Sequence, residues 1–374
     1  MTDVFLCGPL ADAALRDILF GRAIDATPAE LPDHILYALE PPPFTVPVAQ
    51  QGADVQGVLL RDLGTADLDR LAFLAALPDQ DPQITPVRTA GSTVMAQVWI
   101  ARIPAEGGAP WNGDEWAARW QKITLAALGD AMARYGTQSA TLIRSRWPMM
   151  MVRAASRVRA GETAPLATTR HDAAPADVTL DQLRQPYANF FAVEEYDLSF
   201  RRFDASPSPV ITRAVFISGD AVTVLPYDPV RDRVLLVEQF RAGPYARGDA
   251  QPWLIEAIAG RVDPGETPEQ AARREAVEEA GLTLGALLWV GGYYPSPGAK
   301  SEYLYSYVAL TDLPDDAAGV FGLAEEAEDI RGHLLGFDKM MALVASGEIA
   351  NAPLILTAYW LQAARARLRA SHSG

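Results

Sequence analysis

Residues 260–282 read GRVDPGETPEQAARREAVEEAGL and place five carboxylates between Glu266 and Glu279. Thr267 suits a helix N-cap, Pro268 the first helical position, Gln270 the third position of a capping box, and Gly281 the C-terminal stop. The pattern predicts a helix over 268–280. On it, Glu275 and Glu279 stand four apart on one face, with Glu278 beside them. Acids one turn apart repel, and these three also sit near the negative end of the helix dipole. Two readings account for the cluster. One is a solvated acidic face. The other is a set of hard oxygen ligands for Mg²⁺ or Mn²⁺, whose charge would neutralise the repulsion. Gly260, Gly265, Glu266, Arg274 and Gly281, fixed in register around the acids, favour the second.

The stretch resembles a Nudix box: Gly, five residues, Glu, seven residues, Arg-Glu, an apolar residue, any residue, Glu-Glu, any residue, Gly, apolar. Gly260, Glu266, Arg274, Glu275, Glu278, Glu279, Gly281 and Leu282 match, and Ala276 is a small occupant of the first apolar slot. The family implied is metal-dependent hydrolases of nucleoside diphosphates linked to another group, built as an α/β/α sandwich around a mixed sheet. The resemblance implies Glu275 and Glu279 as catalytic metal ligands. It implies two or three Mg²⁺ ions, with Mn²⁺ as an alternative, and the Ala259 carbonyl as a further ligand. Glu278 either binds metal or supports the ligands. Gly260, Glu266, Arg274 and Gly281 belong to the structural motif, Glu266 and Arg274 as an ion pair bracing the loop–helix–loop. Such ions bridge phosphate oxygens and lower the pKa of the attacking water.

The flanks narrow the substrate. VLLVEQFRAGPY, PWLIEAIAG, YYPSPGAKSEYLY and GLAEEAEDIR resemble stretches of bacterial ADP-ribose pyrophosphatases, and the similarity covers about residues 186–368. It implies ADP-ribose as substrate, cleaved to AMP and ribose 5-phosphate. Arg241 would contact the phosphates or terminal ribose, which suits its planar fork. Ser296 and Glu302 would lie on a loop over the substrate. Phe190 would stack on adenine and Arg213 would sit near it, both as contacts across a homodimer whose N-terminal strands exchange between subunits. In the acidic run AEEAEDIR, the resemblance assigns Glu326 as general base and Glu328 as a late metal ligand, with Glu325 competing for the base. A loop carboxylate suits that task, because it need approach only after the substrate is bound.

These residues need elements to hold them. AVTVLPYD and RVLLVEQFRA are strand-like and joined by the turn PVRD. WLIEAIAG leads into the box, LLWVGGYYPSPG and EYLYSYVALTD again read as strands, and the last forty residues read as helices. This order predicts a mixed sheet with helices on its faces. Residues 161–185 are small, polar and Pro-bearing, and read as a linker between domains at 1–160 and 186–370. In the first domain, DVFLCG, VQGVLLRDL and TVMAQVWIARI read as strands. ATPAELPDHILYALEPPPFTVP reads as irregular, and helical patterns lie near 113–135 and 138–160.

VFLCGPLADAALRDILFG resembles the opening of γ-glutamylcyclotransferase-like domains, which implies a mixed β-barrel with helices. The turn here is Cys7-Gly8-Pro9-Leu10, without that family's tyrosine. Ala75 stands where its catalytic glutamate belongs in the segment Leu71-Ala72-Phe73-Leu74-Ala75. The domain therefore resembles a catalytically degenerate relative. The fusion is similar to bacterial proteins named for tellurite resistance, a label that supplies no mechanism.

Composition sets the outer bounds. The 374 residues exceed one typical core. A net charge of -15 excludes a general basic surface for nucleic acid. Cys7 is the one cysteine, so no internal disulfide forms, which suits the cytoplasm. His34, His171, His333 and His372 lack zinc spacing. No run of 18 apolar residues appears, so no membrane partner is expected. The rival functions are hydrolysis of another nucleoside diphosphate sugar or dinucleotide, γ-glutamyl cyclotransfer, and ligand sensing through the first domain.

Overall fold

A computed structural model describes residues 1–39, 44–101, 109–162, 167–323 and 328–372. The chain divides into two compact units: Met1–Asp172 with Ala188–Phe190, and Ala173–Tyr187 with Phe191–Gly374.

In the first unit, strands β1 (Thr2–Cys7), β2 (Ala26–Ala38), β3 (Thr45–Leu63), β4 (Gln80–Thr89) and β5 (Thr93–Ala101) close into a barrel in the order β1-β3-β2-β4-β5. Alternating side chains point inward, so Phe5, Leu31, Leu59, Val87 and Val98 fill the interior. Helices α1 (Ala13–Phe20), α2 (Thr65–Ala75), α3 (Gly113–Arg119), α4 (Gln121–Met132) and α5 (Ala140–Glu162) build a second core with the outer barrel face around Leu15, Leu19, Leu128, Ile143 and Trp147. A mixed β-barrel and helix architecture is what the sequence predicts for this half.

Two local expectations are corrected here. The first part of the Pro-bearing stretch, Ala26–Ala38, expected to be irregular, is the long strand β2. Ala29, Leu31 and Leu36 are buried along it. A register shift between Pro32 and His34, with Asp33 at φ 54°, carries the strand past its second proline. The helical pattern over 113–135 is two helices, α3 and α4, broken at Trp120.

The second unit begins with a three-stranded sheet of β6 (Val178–Ala188), β7 (Ala192–Phe200) and β8 (Ile211–Ile217). Strand β6 takes up the end of the stretch read as the 161–185 linker, from Val178 on, and α5 runs to Glu162 at its other end. Polar composition misled because the polar residues make cross-strand pairs. Arg184 Nη2 donates to Asp197 at 3.0 Å, and Gln185 Nε2 to Glu194 at 3.0 Å.

The main sheet contains β9 (Ala221–Asp228), β10 (Arg233–Phe240), β11 (Trp253–Glu256), β12 (Ile258–Arg261), β13 (Leu287–Tyr293), β14 (Leu304–Leu310), β15 (Val320–Phe321) and β16 (Ile330–Gly336). Its path is β13-β14-β9-β10-β16-β15, with β11 on β10 and β12 on β9. The β14–β9 pairing is parallel and the others are antiparallel, so the sheet is mixed. Helix α6 (Ala242–Arg247) follows β10. Helix α7 (Pro268–Ala280) covers one face, with Ala271, Ala272 and Ala276 against Val222, Val224 and Leu235. Helices α8 (Phe337–Ser346) and α9 (Ala352–Ala370) cover the other, against Leu225, Tyr227 and Leu236. The result is the α/β/α sandwich that the sequence predicts. Burial on both faces explains why β9 and β10 read as continuous apolar runs.

Candidate active site

Helix α7 has the predicted ends. Thr267 caps it in a reciprocal box with Gln270, and Gly281 closes it at φ 62°. The caps fix where the last turn falls, and therefore where Glu275, Glu278 and Glu279 point. Small alanines on the buried face let the helix lie close to β9 and β12. A Cβ at Gly260 on β12 would overlap the Glu275 carboxylate, so this position must be glycine for Glu275 to lie against the strand.

Glu279 is 3 % exposed. Its two oxygens accept from neutral donors, Gln239 Nε2 at 3.3 Å and the Ala259 backbone N–H at 3.0 Å. Burial pushes its pKa up to about 8; the Ala259 N–H opposes that shift and nearby Glu275 adds to it. Burial likewise pushes Glu275 up to about 7, against the pull of Arg274.

Arg274 is the hub of the box. Nε and Nη2 each donate to Glu266 at 3.0 Å, and Nη2 also donates to the Arg261 carbonyl at 3.0 Å. Nη1 donates to Glu275 at 2.7 Å and to Glu278 at 3.0 Å. Burial disfavours its charge, yet Glu266 and Glu275 outweigh that and hold its proton more tightly than usual. One guanidinium thus braces the loop before the helix and offsets part of the repulsion among the acids.

Arg241 follows β10 and is clamped by Glu256, through Nε at 2.7 Å and Nη2 at 2.6 Å. Glu256 is itself buried and accepts from Asn351 Nδ2 at 2.6 Å. The Arg241 charge acts on Glu279, lowering its pKa. The Glu328 charge acts on Glu275, raising its pKa. The Glu328 carboxylate accepts from the Leu323 N–H at 3.2 Å. Glu325 and Glu326 lie outside the described residues.

The fold thus brings Ala259, Gly260, Glu266, Arg274, Glu275, Glu278 and Glu279 together, with Arg241 and Glu328 within electrostatic reach. The remaining candidates make bonds elsewhere. Glu302 accepts from Ser218 Oγ at 3.3 Å and Lys300 Nζ at 3.4 Å, and the Ser296 carbonyl accepts from the Lys300 N–H at 2.9 Å. Arg213, on β8, donates to the Thr212 carbonyl at 2.9 Å. Phe190 is exposed and falls with the first unit. Sequence reasoning missed Gln239, Glu256 and Asn351. The available signal was a lone acid, Glu256, inside the apolar run WLIEAIAG.

Among the described residues, no three His, Cys, Asp or Glu side chains gather as a ready-made ion cage. The donor chemistry nevertheless suits a divalent cation. Glu279 is a buried carboxylate whose hydrogen bonds come from neutral groups, and Glu275 raises its energy further. Hard oxygen ligands in that state gain most from a small doubly charged ion.

Comparison with known proteins gives a consistent picture. Residues 218–355 match the model of the NUDIX domain. The chain is 39% identical to an ADP-ribose pyrophosphatase of Escherichia coli (strain K12) over 186 residues, 50% of this chain and 88% of the relative. It is 36% identical to an ADP-ribose pyrophosphatase of Haemophilus influenzae over 187 residues, covering 50% and 86%. It is 32% identical to a GDP-mannose pyrophosphatase of Salmonella choleraesuis over 176 residues, covering 46% and 89%.

Proposed function

The chain belongs to the Nudix hydrolase family, and from that premise we propose that its second unit hydrolyses the diphosphate of ADP-ribose to AMP and ribose 5-phosphate. One structural observation carries the reading: Glu279, buried on neutral donors, faces the Ala259–Gly260 strand beside Glu275 and within the field of Arg241. The identity to the two ADP-ribose pyrophosphatases supports the choice of substrate.

The residues that would hold Mg²⁺, or Mn²⁺ in its place, are Glu275, Glu278, Glu279, Glu328 and the Ala259 carbonyl, for two or three ions. When bound, these ions supply positive charge against the phosphate oxygens and favour ionisation of water. The protein's own groups do the rest. Arg241 is held in one orientation by Glu256 and offers its outer N–H groups to the phosphates or the terminal ribose. Arg274 keeps Glu275 and Glu278 in place. Glu326 takes the proton of the attacking water, with Glu325 as its competitor. Ser296 and Glu302 border the bound substrate, and Phe190 and Arg213 serve adenine in a homodimer. Half-exposed Val178, Leu180 and Leu183 on β6 support that assembly. The first unit we read as a degenerate cyclotransferase relative, with Ala75 in place of the proton-transferring glutamate.

The relation to GDP-mannose pyrophosphatases favours one second reading, a different nucleoside diphosphate sugar. Incubating purified protein with Mg²⁺ and a panel of such substrates separates the two. The account expects AMP from ADP-ribose; no AMP across a range of pH and metals would overturn it.

A further inference from the structure

The first unit contains a cavity that diphosphate hydrolysis does not use. It holds about 760 Å³ of empty space, its mouth to solvent included. Its wall is drawn from both cores of the unit. Phe5 comes from β1, Leu74 and Ala75 from α2, Leu128 from α4 and Trp147 from α5. The cavity therefore opens where the barrel meets its helices.

The chemistry of the wall is selective. Among the described residues, no Asp, Glu, Lys, Arg or His lines it. Its polar members are Cys7, Thr45, Gln80 and Thr124. The Thr124 hydroxyl donates to the Trp120 carbonyl at 2.7 Å, and Gln80 Nε2 to the Thr45 carbonyl at 2.6 Å. A charge placed here would lose hydration and meet no counter-charge among the described residues of the wall. That argues against a nucleoside diphosphate in this cavity, and equally against a γ-glutamyl group with its carboxylate.

We propose that this cavity is a binding site for an uncharged, predominantly apolar small molecule. The site is independent of the diphosphate reading, because it uses no residue of the second unit. Nile red, which is neutral and predominantly apolar, is a suitable probe. Titrated into the full chain, it should bind saturably at one per chain with blue-shifted emission, and saturating ADP-ribose should not displace it. Ala75→Phe, which fills the cavity from α2, should weaken binding by about tenfold or more, equivalent to roughly 1.4 kcal/mol. A second readout needs no variant. Cys7 lines the cavity and is the chain's single cysteine, so its modification by methyl methanethiosulfonate, run at raised pH because burial keeps the thiol neutral near pH 7, can be followed by intact mass. Bound dye should slow that modification several-fold. Absence of saturable binding, full affinity in a folded Ala75→Phe protein, or Cys7 modification unaffected by bound dye would overturn the proposal. If Ala75→Phe does not fold, Cys7 protection decides alone.

Discussion

The two units treat charge in opposite ways. Around α7 the chain crowds Glu266, Glu275, Glu278 and Glu279 about one arginine and buries Glu279 on neutral donors. Around the first unit's cavity it leaves the described wall free of ionisable side chains except a thiol. Burial pushes that thiol, Cys7, up to about 12, so it stays neutral. Both sites lie where helices meet strands, so the architecture alone does not choose between them. The difference is the side chains each gathers: buried and half-buried acids in one, apolar and uncharged groups in the other.

This contrast can be broken by substitution. Glu279→Gln keeps the shape and an acceptor for the Ala259 N–H but removes the charge. The expected result is a fall in kcat on the order of 10³-fold with an unchanged circular dichroism spectrum. A rate near wild type would remove Glu279 from the catalytic set.

Arg274→Met tests the hub. It leaves Glu266, Glu275 and Glu278 without their shared cation. The guanidinium is 28% exposed, so solvent screens part of the loss. A destabilisation of about 2–3 kcal/mol is expected, below the roughly 3–5 kcal/mol of a fully buried pair. The midpoint of urea unfolding checks it, and an unchanged midpoint would mean the acids are solvated.

Glu256→Gln tests the clamp on Arg241. With the arginine no longer fixed, KM for ADP-ribose should rise roughly 3–10-fold while kcat changes less. Equal loss in both constants would place Arg241 in the transition state instead.

A further prediction concerns the effect of pH on the metal-free protein. Glu275 and Glu279 have folded pKa values near 7 and 8, above the ordinary 4.5. Between about pH 5 and 8 the folded chain therefore binds more protons than the unfolded chain, and stability falls as pH rises. Mg²⁺, which we propose binds the folded state, should recover the loss at pH 8. Thermal unfolding across this range, with and without Mg²⁺, reads the effect. A metal-free melting temperature that rises over the same window would contradict the burial of these acids.

How much was legible follows from distance along the chain. Helix α7 was readable to its ends because Thr267, Gln270 and Gly281 act within one turn of the backbone they cap. The apolar runs of β9 and β10 were readable because both faces of the sheet are buried. The anchor of Arg241 was not, since Glu256 and Asn351 join it from separate elements. Strand β2 was hidden by its prolines, and β6 by polar residues whose partners lie on β7. The cavity was invisible because it is the space left by packing eight strands and helices, not a motif. Glu326, assigned from a family pattern, lies outside the described residues and rests on that pattern alone.

The most direct test of the central claim is kcat/KM of the full chain with Mg²⁺ on ADP-ribose and GDP-mannose, measured side by side and repeated with Glu279→Gln. The account predicts AMP from ADP-ribose, a higher kcat/KM for it than for GDP-mannose, and loss of both activities in the variant. Preference for GDP-mannose, or turnover of ADP-ribose that survives Glu279→Gln, would contradict it.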